Sequence, residues 1–327
     1  MKLFPLFKKI NLRIGVCIML GLSSFQSIAQ EYPTKPITLV VGFGPGGNAD
    51  IVARLLAQKL SIEMAQQVLV ENKGGAGGML ANDSVAKAAP DGYRLSLISG
   101  AFPSQAAVMN KLPFDPMGDF SWVTTFISYP MVIVVNSESS IKTLNDLIKY
   151  AKENPKKLNY PTPGNGSLFH LATEYFSSTA GIDMTHIPFK GGSPQLNELL
   201  AGRLDVMFDT FAVVQPHLIS GKLRAIAVTS EKRMQQLPNI PAVAETFPSF
   251  EASSFLGIAG PKGLSPEIIS KLNSSIHAAV IKNDVRLRFS ELGGQVWIGS
   301  PKEMADYVSQ SIQKWKRVVS EKSIKFD

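Results

Sequence analysis

A glycine-rich turn between a predicted strand and a predicted helix most constrains the fold of this 327-residue chain. Residues 37–41 are apolar and predict a buried strand, whereas residues 50–60 place apolar side chains at helical spacing. Between them, Gly42, Gly44 and Gly47 have the G-x-G-x-x-G spacing of dinucleotide-binding loops. Such a turn is typical of parallel α/β sheets, and its backbone amides suit an anion. The spacing alone leaves the anion open.

Strand-like and helix-like runs alternate along the rest of the chain, and this order predicts an α/β fold throughout. Further strands are predicted at 68–72, 94–100, 131–136, 184–189, 204–210 and 223–230, with a strand and loop at 158–167. Further helices are predicted near 81–88, 143–153, 168–180, 193–202, 266–283 and 300–320.

The first 29 residues have the composition of a secretory signal peptide. Four basic residues and no acidic ones precede an apolar run at 14–22, and Ser27 and Ala29 are small residues before a cut at Gln30. The apolar run is about half the roughly 20 residues that span a bilayer, which disfavours a membrane anchor. Cleavage near Ala29/Gln30 predicts an exported protein, and the leader has no eukaryotic feature, so we expect a periplasmic location.

Export and composition exclude several classes of function. Four of the 33 basic residues lie in the leader, so the mature chain has 29 basic against 26 acidic residues. Its net charge of +3 is too small to indicate a nucleic-acid partner. Cleavage also removes Cys17, the single cysteine, and the four histidines lack metal-ligand spacing, so no disulfide, metal or cofactor is expected. A nicotinamide enzyme would lack its cofactor outside the cytoplasm.

Two glycine turns have the composition of anion-binding loops, and each precedes a predicted helix. One spans residues 44–48 and the other 164–167, where Ser167 adds a hydroxyl donor. A third candidate lies at 191–193, and an ordinary tight turn is the alternative for each loop. Pro45 has no N–H, so the first loop suits a carboxylate better than a pyrophosphate. Ligands of open sheets bind beyond the carboxyl ends of the strands, so the first two loops predict a cleft.

A serine hydrolase is the alternative that the second loop leaves open. Ser167 and His170 are three residues apart and would share a helix face. A nucleophile elbow requires Gly-x-Ser-x-Gly, however, and Phe169 stands where the second glycine should be. We therefore expect a binding protein without catalytic residues.

Several separated blocks of the chain, in the same order, resemble one family. They include VGFGPGGNADIVARLLAQKL from residue 41, HIPFKGGSPQLNELLAGRLDVMFDT from residue 186 and GKLRAIAVTS from residue 221. These blocks resemble the extracytoplasmic receptors of tripartite tricarboxylate transporters, the Bug or TctC-type solute-binding proteins. The resemblance extends from about Tyr32 to the C-terminus.

The resemblance implies a two-lobed, type II periplasmic-binding-protein fold in which each lobe is a mostly parallel sheet flanked by helices. Lobe one would comprise residues 30–131 and 250–327, and lobe two residues 132–249. It implies a monomeric receptor that captures a small carboxylate-bearing solute between the lobes for a two-component membrane permease. A solute sensor that is not coupled to transport stays an alternative.

In such receptors two loops hold a carboxylate, largely through backbone amides, hydroxyls and water. The matching positions are residues 43–47 in lobe one and 164–167 in lobe two, and Ser99 at the end of the third strand would be a further hydroxyl donor. The predicted ligand-binding residues are Phe43, Gly44, Gly46, Gly47, Ser99, Gly164, Asn165, Gly166, Ser167, His170 and Asp209. His170 would orient the second loop, and Asp50 would steady the first. Asp209 would meet a ligand amino group, as in some family members, or bond neighbouring backbone.

The chain departs from the family pattern at residues 100–103, where a Ser/Thr-rich turn is usual. With fewer hydroxyls there, Phe102 is predicted to form an apolar wall. This wall would suit an aromatic or less polar acid.

Overall fold

The computed structural model describes residues 32–109, 111–189, 192–322 and 324. The predicted signal peptide lies outside these residues, as does residue 191 of the third candidate loop. Within the described part of the chain, no helix has both the length and the apolar character needed to cross a membrane.

Strands and helices alternate along the described residues. The strands are β1 (Ile37–Val41), β2 (Val68–Asn72), β3 (Arg94–Ser99), β4 (Phe120–Asn136), β5 (Asn159–Thr162), β6 (Thr185–Pro188), β7 (Met207–Thr210), β8 (Leu223–Val228), β9 (Ser253–Pro261) and β10 (Gln295–Val296). The helices are α1 (Asn48–Glu63), α2 (Met79–Ala86), α3 (Ala101–Val108), α4 (Leu144–Glu153), α5 (Leu168–Ala180), α6 (Gly192–Leu200), α7 (Phe211–Ile219), α8 (Pro266–Val280), α9 (Asn283–Glu291) and α10 (Pro301–Glu321). Two 3₁₀ turns, Ala76–Gly78 and Val243–Glu245, complete the order.

The sheet is mixed. β1 pairs in parallel with β2 and β3, and β5 pairs in parallel with β6. β9 pairs antiparallel with β3 and β4. The α/β fold class is therefore confirmed, whereas the expectation of mostly parallel sheets is corrected. The reason is that β4 and β9 connect the two halves of the chain and run antiparallel to each other.

β4 is a single 17-residue strand that serves both halves of the molecule. It pairs with β9 from Phe120 to Pro130, and from Met131 onward it pairs antiparallel with β7 and β8. The sequence predicted a strand only at 131–136. Pro130 lies inside the strand, and a proline normally disfavours strand interior positions, so the residues before 131 have a weaker strand signal.

Helix ends follow their local capping signals. The Thr143 hydroxyl accepts from Asp146 N–H at the start of α4, and the carboxylate of Asp146 accepts from the Thr143 N–H in return. Ser300 and Glu303 form the same capping box at α10. Gly181 ends α5 with a φ of 62°, a left-handed conformation that glycine adopts without steric cost.

The C-terminal helix α10 contributes to two hydrophobic cores. Met304 and Val308 pack in the core that contains Phe102, whereas Trp315 and Val318 pack in the core that contains Phe176. The predicted division into lobes placed all of α10 in lobe one. That division stays a prediction, and the packing places the last turns of α10 with residues of predicted lobe two.

Candidate functional site

A cleft of about 690 Å³ lies beyond the carboxyl ends of β1, β3 and β7. Residues before 131 and after 250 contribute Phe43, Gly47, Asn48, Ala49, Gly77, Ser99, Ala101, Ser104, Gln105, Tyr129, Ser254 and Leu256. Residues between 132 and 249 contribute Pro163, Ser167, Leu168, Phe169, Gln195, Leu196, Asn197, Asp209, Thr210 and Val213. Asp209 is the only charged residue among these described lining residues. An anion would therefore find neither lysine nor arginine among them.

The first turn of α1 presents backbone amides to this cleft. Gly47 is the N-cap, and no side chain caps the helix there. Gly47, Asn48 and Ala49 all line the cleft. The first amides of a helix have no partner within it, and the helix dipole adds a partial positive charge at this end. The α1 N-terminus can therefore attract and hydrogen-bond an anion.

A buried carboxylate holds the preceding loop in place. Asp50 is 3% exposed, and its Oδ2 accepts from the Gly46 N–H at 2.9 Å. Asn72 Nδ2 donates to Asp50 Oδ1 at 2.8 Å and to Phe43 O at 3.0 Å. The hydrogen bond from Arg54 is the main cause that lowers the pKa of Asp50 to about 2. Asp50 thus steadies the first loop, as the sequence predicted.

The second loop ends at Ser167, the N-cap of α5. Ser167 Oγ accepts from the His170 N–H at 3.3 Å, which leaves the hydroxyl hydrogen able to donate. Gly166 has a φ of 69°, and its N–H donates to His170 Nδ1 at 3.1 Å. The loop is therefore held by its own helix, with Ser167 at the cleft.

Two stacked histidines lie beside the second loop. The ring centroids of His170 and His186 are 3.8 Å apart, and their planes differ by 13°. His186 Nε2 lies 2.6 Å from Thr162 Oγ1, and this hydroxyl also bonds Gly164 O at 3.1 Å. Burial, with a smaller effect of His186, lowers the pKa of His170 to about 3, and burial lowers that of His186 to about 4. Both rings are neutral at neutral pH, so His170 Nδ1 can accept.

Asp209 lies at the end of β7, where it is 5% exposed. Its Oδ1 accepts from the Thr210 N–H at 2.7 Å, and its Oδ2 accepts from Gln195 Nε2 at 3.2 Å. Burial raises the pKa of Asp209 to about 6. The strand-end carboxylate therefore bonds neighbouring backbone and also lines the cleft.

Comparison with known proteins identifies the family. The model of the tripartite tricarboxylate transporter family receptor matches residues 52–324. The chain belongs to this family. It is a family of solute-binding proteins, not of enzymes, so the prediction that the chain is a receptor without catalysis is confirmed.

Individual relatives agree over nearly the whole chain. BugT of Bordetella pertussis is 34% identical over 315 residues, which cover 95% of this receptor and 97% of BugT. The solved structure of R. palustris Rpa4515 with adipate is 32% identical, has a TM-score of 0.78 and matches 89% of this receptor and 98% of its own chain. The periplasmic binding protein BugD is 31% identical, with a TM-score of 0.76 and coverage of 90% and 99%.

The structure brings the predicted ligand-binding residues of this receptor into two loops and two strand ends. Five of them line the cleft: Phe43, Gly47, Ser99, Ser167 and Asp209. The other six, which are Gly44, Gly46, Gly164, Asn165, Gly166 and His170, belong to the same loops or to the start of α5 but are not among its lining residues. The N–H groups of Gly46 and Gly166 bond Asp50 and His170. Ligand contact by all eleven stays a prediction.

The apolar wall of the cleft comes from different residues than predicted. Phe102 is 3% exposed and packs in the core, with its ring 5.9 Å from that of Phe114 and 5.4 Å from that of Phe120. The predicted Phe102 wall is therefore wrong, because α3 turns this side chain toward the sheet. Apolar cleft residues are instead Phe43, Leu168, Phe169, Leu196, Val213 and Leu256.

The geometry disfavours the serine hydrolase alternative as well. The hydroxyl of Ser167 bonds the backbone N–H of His170, while the imidazole Nδ1 of His170 accepts from Gly166. A histidine whose pKa lies at about 3 is a weak base at neutral pH. The pair therefore holds a loop and does not form a nucleophile–base couple.

Several polar lining residues have no recognisable sequence signal. Gln105, Tyr129 and Gln195 each line the cleft. None of the three belongs to a glycine turn with a predicted strand before it. Their position depends on the pairing of distant strands, which one sequence does not reveal.

Proposed function

We propose that this receptor captures a small carboxylate-bearing solute in the cleft between the two predicted lobes and delivers it to a two-component membrane permease. The observation that carries the proposal is the paired arrangement of helix N-termini. The uncapped first turn of α1 and the Ser167 end of α5 both reach a cleft without a basic side chain among its described lining residues. Backbone amides and hydroxyls would thus supply the charge-assisted hydrogen bonds.

Location and partners follow from the leader and the family. The predicted signal peptide supports a periplasmic location for the mature chain, and the periplasmic relative BugD supports it as well. The family consists of receptors of tripartite tricarboxylate transporters, and this supports delivery to a membrane partner. The adipate held by Rpa4515 supports a carboxylate as ligand. At Asp209, a ligand amino group would meet a buried carboxylate that accepts hydrogen bonds from Gln195 and Thr210.

Thermal stability is expected to rise with the right acid. A ligand that binds only the folded state stabilises it by RT ln(1 + [L]/Kd), about 2.7 kcal/mol when its concentration is 100 times Kd. Thermal-shift screening should cover monocarboxylates, dicarboxylates, aromatic acids and acidic amino acids, with the matching amides as uncharged controls. Mass spectrometry of a denatured sample first establishes that the protein is free of ligand. A melting temperature that no carboxylate raises would contradict the proposal.

Replacing Ser167 with alanine is expected to weaken carboxylate binding about tenfold or more, because a donor to the anion is lost. The same change removes an N-cap, which costs about 1 kcal/mol of stability. Ser265→Ala is a matched control, since Ser265 caps α8 in the same way and lies outside the cleft lining. Calorimetric titration of both variants separates the two effects. Equal affinity in Ser167→Ala and Ser265→Ala would remove Ser167 from the site.

A further inference from the structure

Gln195 lies almost fully buried in the cleft wall, at 2% exposure, and one orientation of its amide is favoured. Its Nε2 donates to Asp209 Oδ2, and Asp209 is anchored through the Thr210 N–H. Turning the amide over would place Gln195 Oε1 against the carboxylate, where two acceptors would repel each other. Gln195 Oε1 therefore stays buried, and within the described residues it has no hydrogen-bond partner.

Gln105 shows the same pattern on the part of the wall formed before residue 131. Its Nε2 donates to Gly77 O at 2.9 Å, and a carbonyl oxygen can only accept. The amide is thus fixed, and Gln105 Oε1 is buried without a partner in the described part of the chain. Both Gln105 and Gly77 line the cleft.

Unpartnered buried acceptors are rare in folded proteins, because each loses its bonds to water without replacement. Four cleft-lining side chains have such an atom without a partner among the described residues: Asn48 Oδ1, Gln105 Oε1, Tyr129 Oη and Gln195 Oε1. The tyrosine hydroxyl can donate as well as accept, whereas the two glutamine oxygens, fixed by their amide orientation, can only accept and call for a ligand that supplies N–H or O–H groups. We propose that Gln195 and Gln105 select a carboxylic acid that also carries a hydrogen-bond donor, a hydroxyl or an ammonium group, which their side-chain oxygens accept. This inference rests on the proposed function, since it assigns the chemistry of the ligand beyond its carboxylate.

Acids matched in carbon skeleton test the inference on the unaltered full chain. One series is succinate, malate and aspartate, and the other is 3-phenylpropanoate, 3-phenyllactate and phenylalanine, chosen for the apolar part of the wall. Titration calorimetry at pH 7.5 keeps Asp209 ionised. A site built around acceptors rejects analogues that leave them unpaired. We expect the hydroxy or amino acid to bind at least about tenfold tighter than the unsubstituted acid, which corresponds to about 1.4 kcal/mol. Comparing the affinities of the hydroxy acid and the amino acid within each series shows whether the site prefers a hydroxyl or an ammonium group.

Gln195→Met is expected to reduce this preference, measured as the ratio of the two affinities within the variant, to about threefold or less. The side chain keeps its length and loses the acceptor. Gln236→Met is the matched control. Gln236 Nε2 donates to Ser290 O at 2.9 Å, its Oε1 is likewise buried without a partner among the described residues, and it is not among the residues that line the cleft. This control should keep the full preference.

Asp209→Asn provides a second, independent variant. The Thr210 N–H keeps the side-chain oxygen of the new asparagine at the Oδ1 position, so its NH₂ group faces Gln195. The Gln195 amide would then reverse and offer an N–H to the cleft in place of an oxygen. We expect the preference for the hydroxy acid over the unsubstituted acid to fall. The amino acid does not report on Gln195 in this variant, because the carboxylate that would meet its ammonium group is lost as well.

The outcomes separate this inference from the proposed function. Binding of acids with no preference between matched partners overturns this inference and leaves the proposed function standing. A preference that survives in Gln195→Met and Asp209→Asn alike removes Gln195 from the inference. Failure of every acid, in both series and in the thermal-shift screen, overturns the proposed function and this inference with it. A preference lost in Gln195→Met and kept in Gln236→Met supports it.

Discussion

Replacing Gly47 with valine is expected to weaken carboxylate binding about 100-fold, the largest effect of any single substitution at this cleft. Gly47 has a φ of −75° and a ψ of 165°, which valine adopts without strain. A Cβ at Gly47 would meet Gly44 O at 3.7 Å, an ordinary contact, and open space otherwise. The new methyl groups would occupy the cleft at the first turn of α1. Losing two charge-assisted bonds of about 1.5 kcal/mol each gives the expected factor.

The fold should survive this change, and a neighbouring glycine provides the control. Valine is a poorer N-cap than glycine, so the melting temperature of the ligand-free protein should fall by a few degrees only. Gly74→Val places a side chain against the same loop, with the Cβ 3.8 Å from Gly44 N, at a position that does not line the cleft. Titration calorimetry of both variants decides the matter. An affinity unchanged in Gly47→Val would exclude the α1 N-terminus as the anion site.

Local signals predicted the elements of this fold well, because their causes are local. The capping box at Thr143, the box at Ser300 and the glycine after Ala180 each act within one turn of helix. The course of β4 through Pro130 could not be predicted in this way. It depends on β9, which pairs with β4 from more than 100 residues away.

The candidate site likewise contains parts that local sequence signals predict and parts that they do not. The loops that reach the cleft have their own sequence signals, since a strand, a glycine turn and a helix must follow each other in the chain. Phe102 illustrates the opposite case. It follows a turn that reaches the cleft, yet the direction of α3 against the sheet sends its ring into the core. Gln105, one helical turn later, lines the cleft instead.

Acidification is expected to destabilise this receptor through the stacked histidines. The pKa values of His170 and His186, about 3 and about 4, lie below their usual 6.5. Below pH 6.5 the unfolded chain therefore binds protons that the folded chain does not, and stability falls as the pH approaches 4. Each histidine lowers the free energy of unfolding by up to about 1.4 kcal/mol for each pH unit of acidification. Solvent screening keeps the contribution of the partly exposed His186 below this limit. Protonated His170 could no longer accept the Gly166 N–H, so ligand affinity should fall with stability.

His186→Phe isolates this contribution. The phenyl ring keeps the stack and cannot titrate. The unfolding free energy of the variant should therefore fall less steeply than that of the unaltered protein between pH 6.5 and pH 4.5, by up to about 1 kcal/mol per pH unit. Urea unfolding at each pH measures the slope. Tyr160 stacks on His186, Glu174 accepts from the Tyr160 hydroxyl, and Lys322 pairs with Glu174. Burial raises the pKa of Glu174, as it does that of Asp209, and both groups oppose the histidines.

The unaltered protein and the His186 variant both contain Glu174 and Asp209, so the difference between their unfolding free energies removes most of the effect of these two carboxyl groups. His186→Phe removes both a titratable ring and its hydrogen bond to Thr162. Thr162→Val removes only this hydrogen bond to His186 Nε2 and keeps the titratable imidazole, so it separates the two effects. This variant should be less stable at every pH and should keep the slope of the unaltered protein. His186→Phe should instead show the flatter slope. Parallel curves for His186→Phe and the unaltered chain would mean that the stacked pair does not titrate between folded and unfolded states. The loop that carries Ser167 would then owe its geometry to packing and not to an imidazole that must stay neutral.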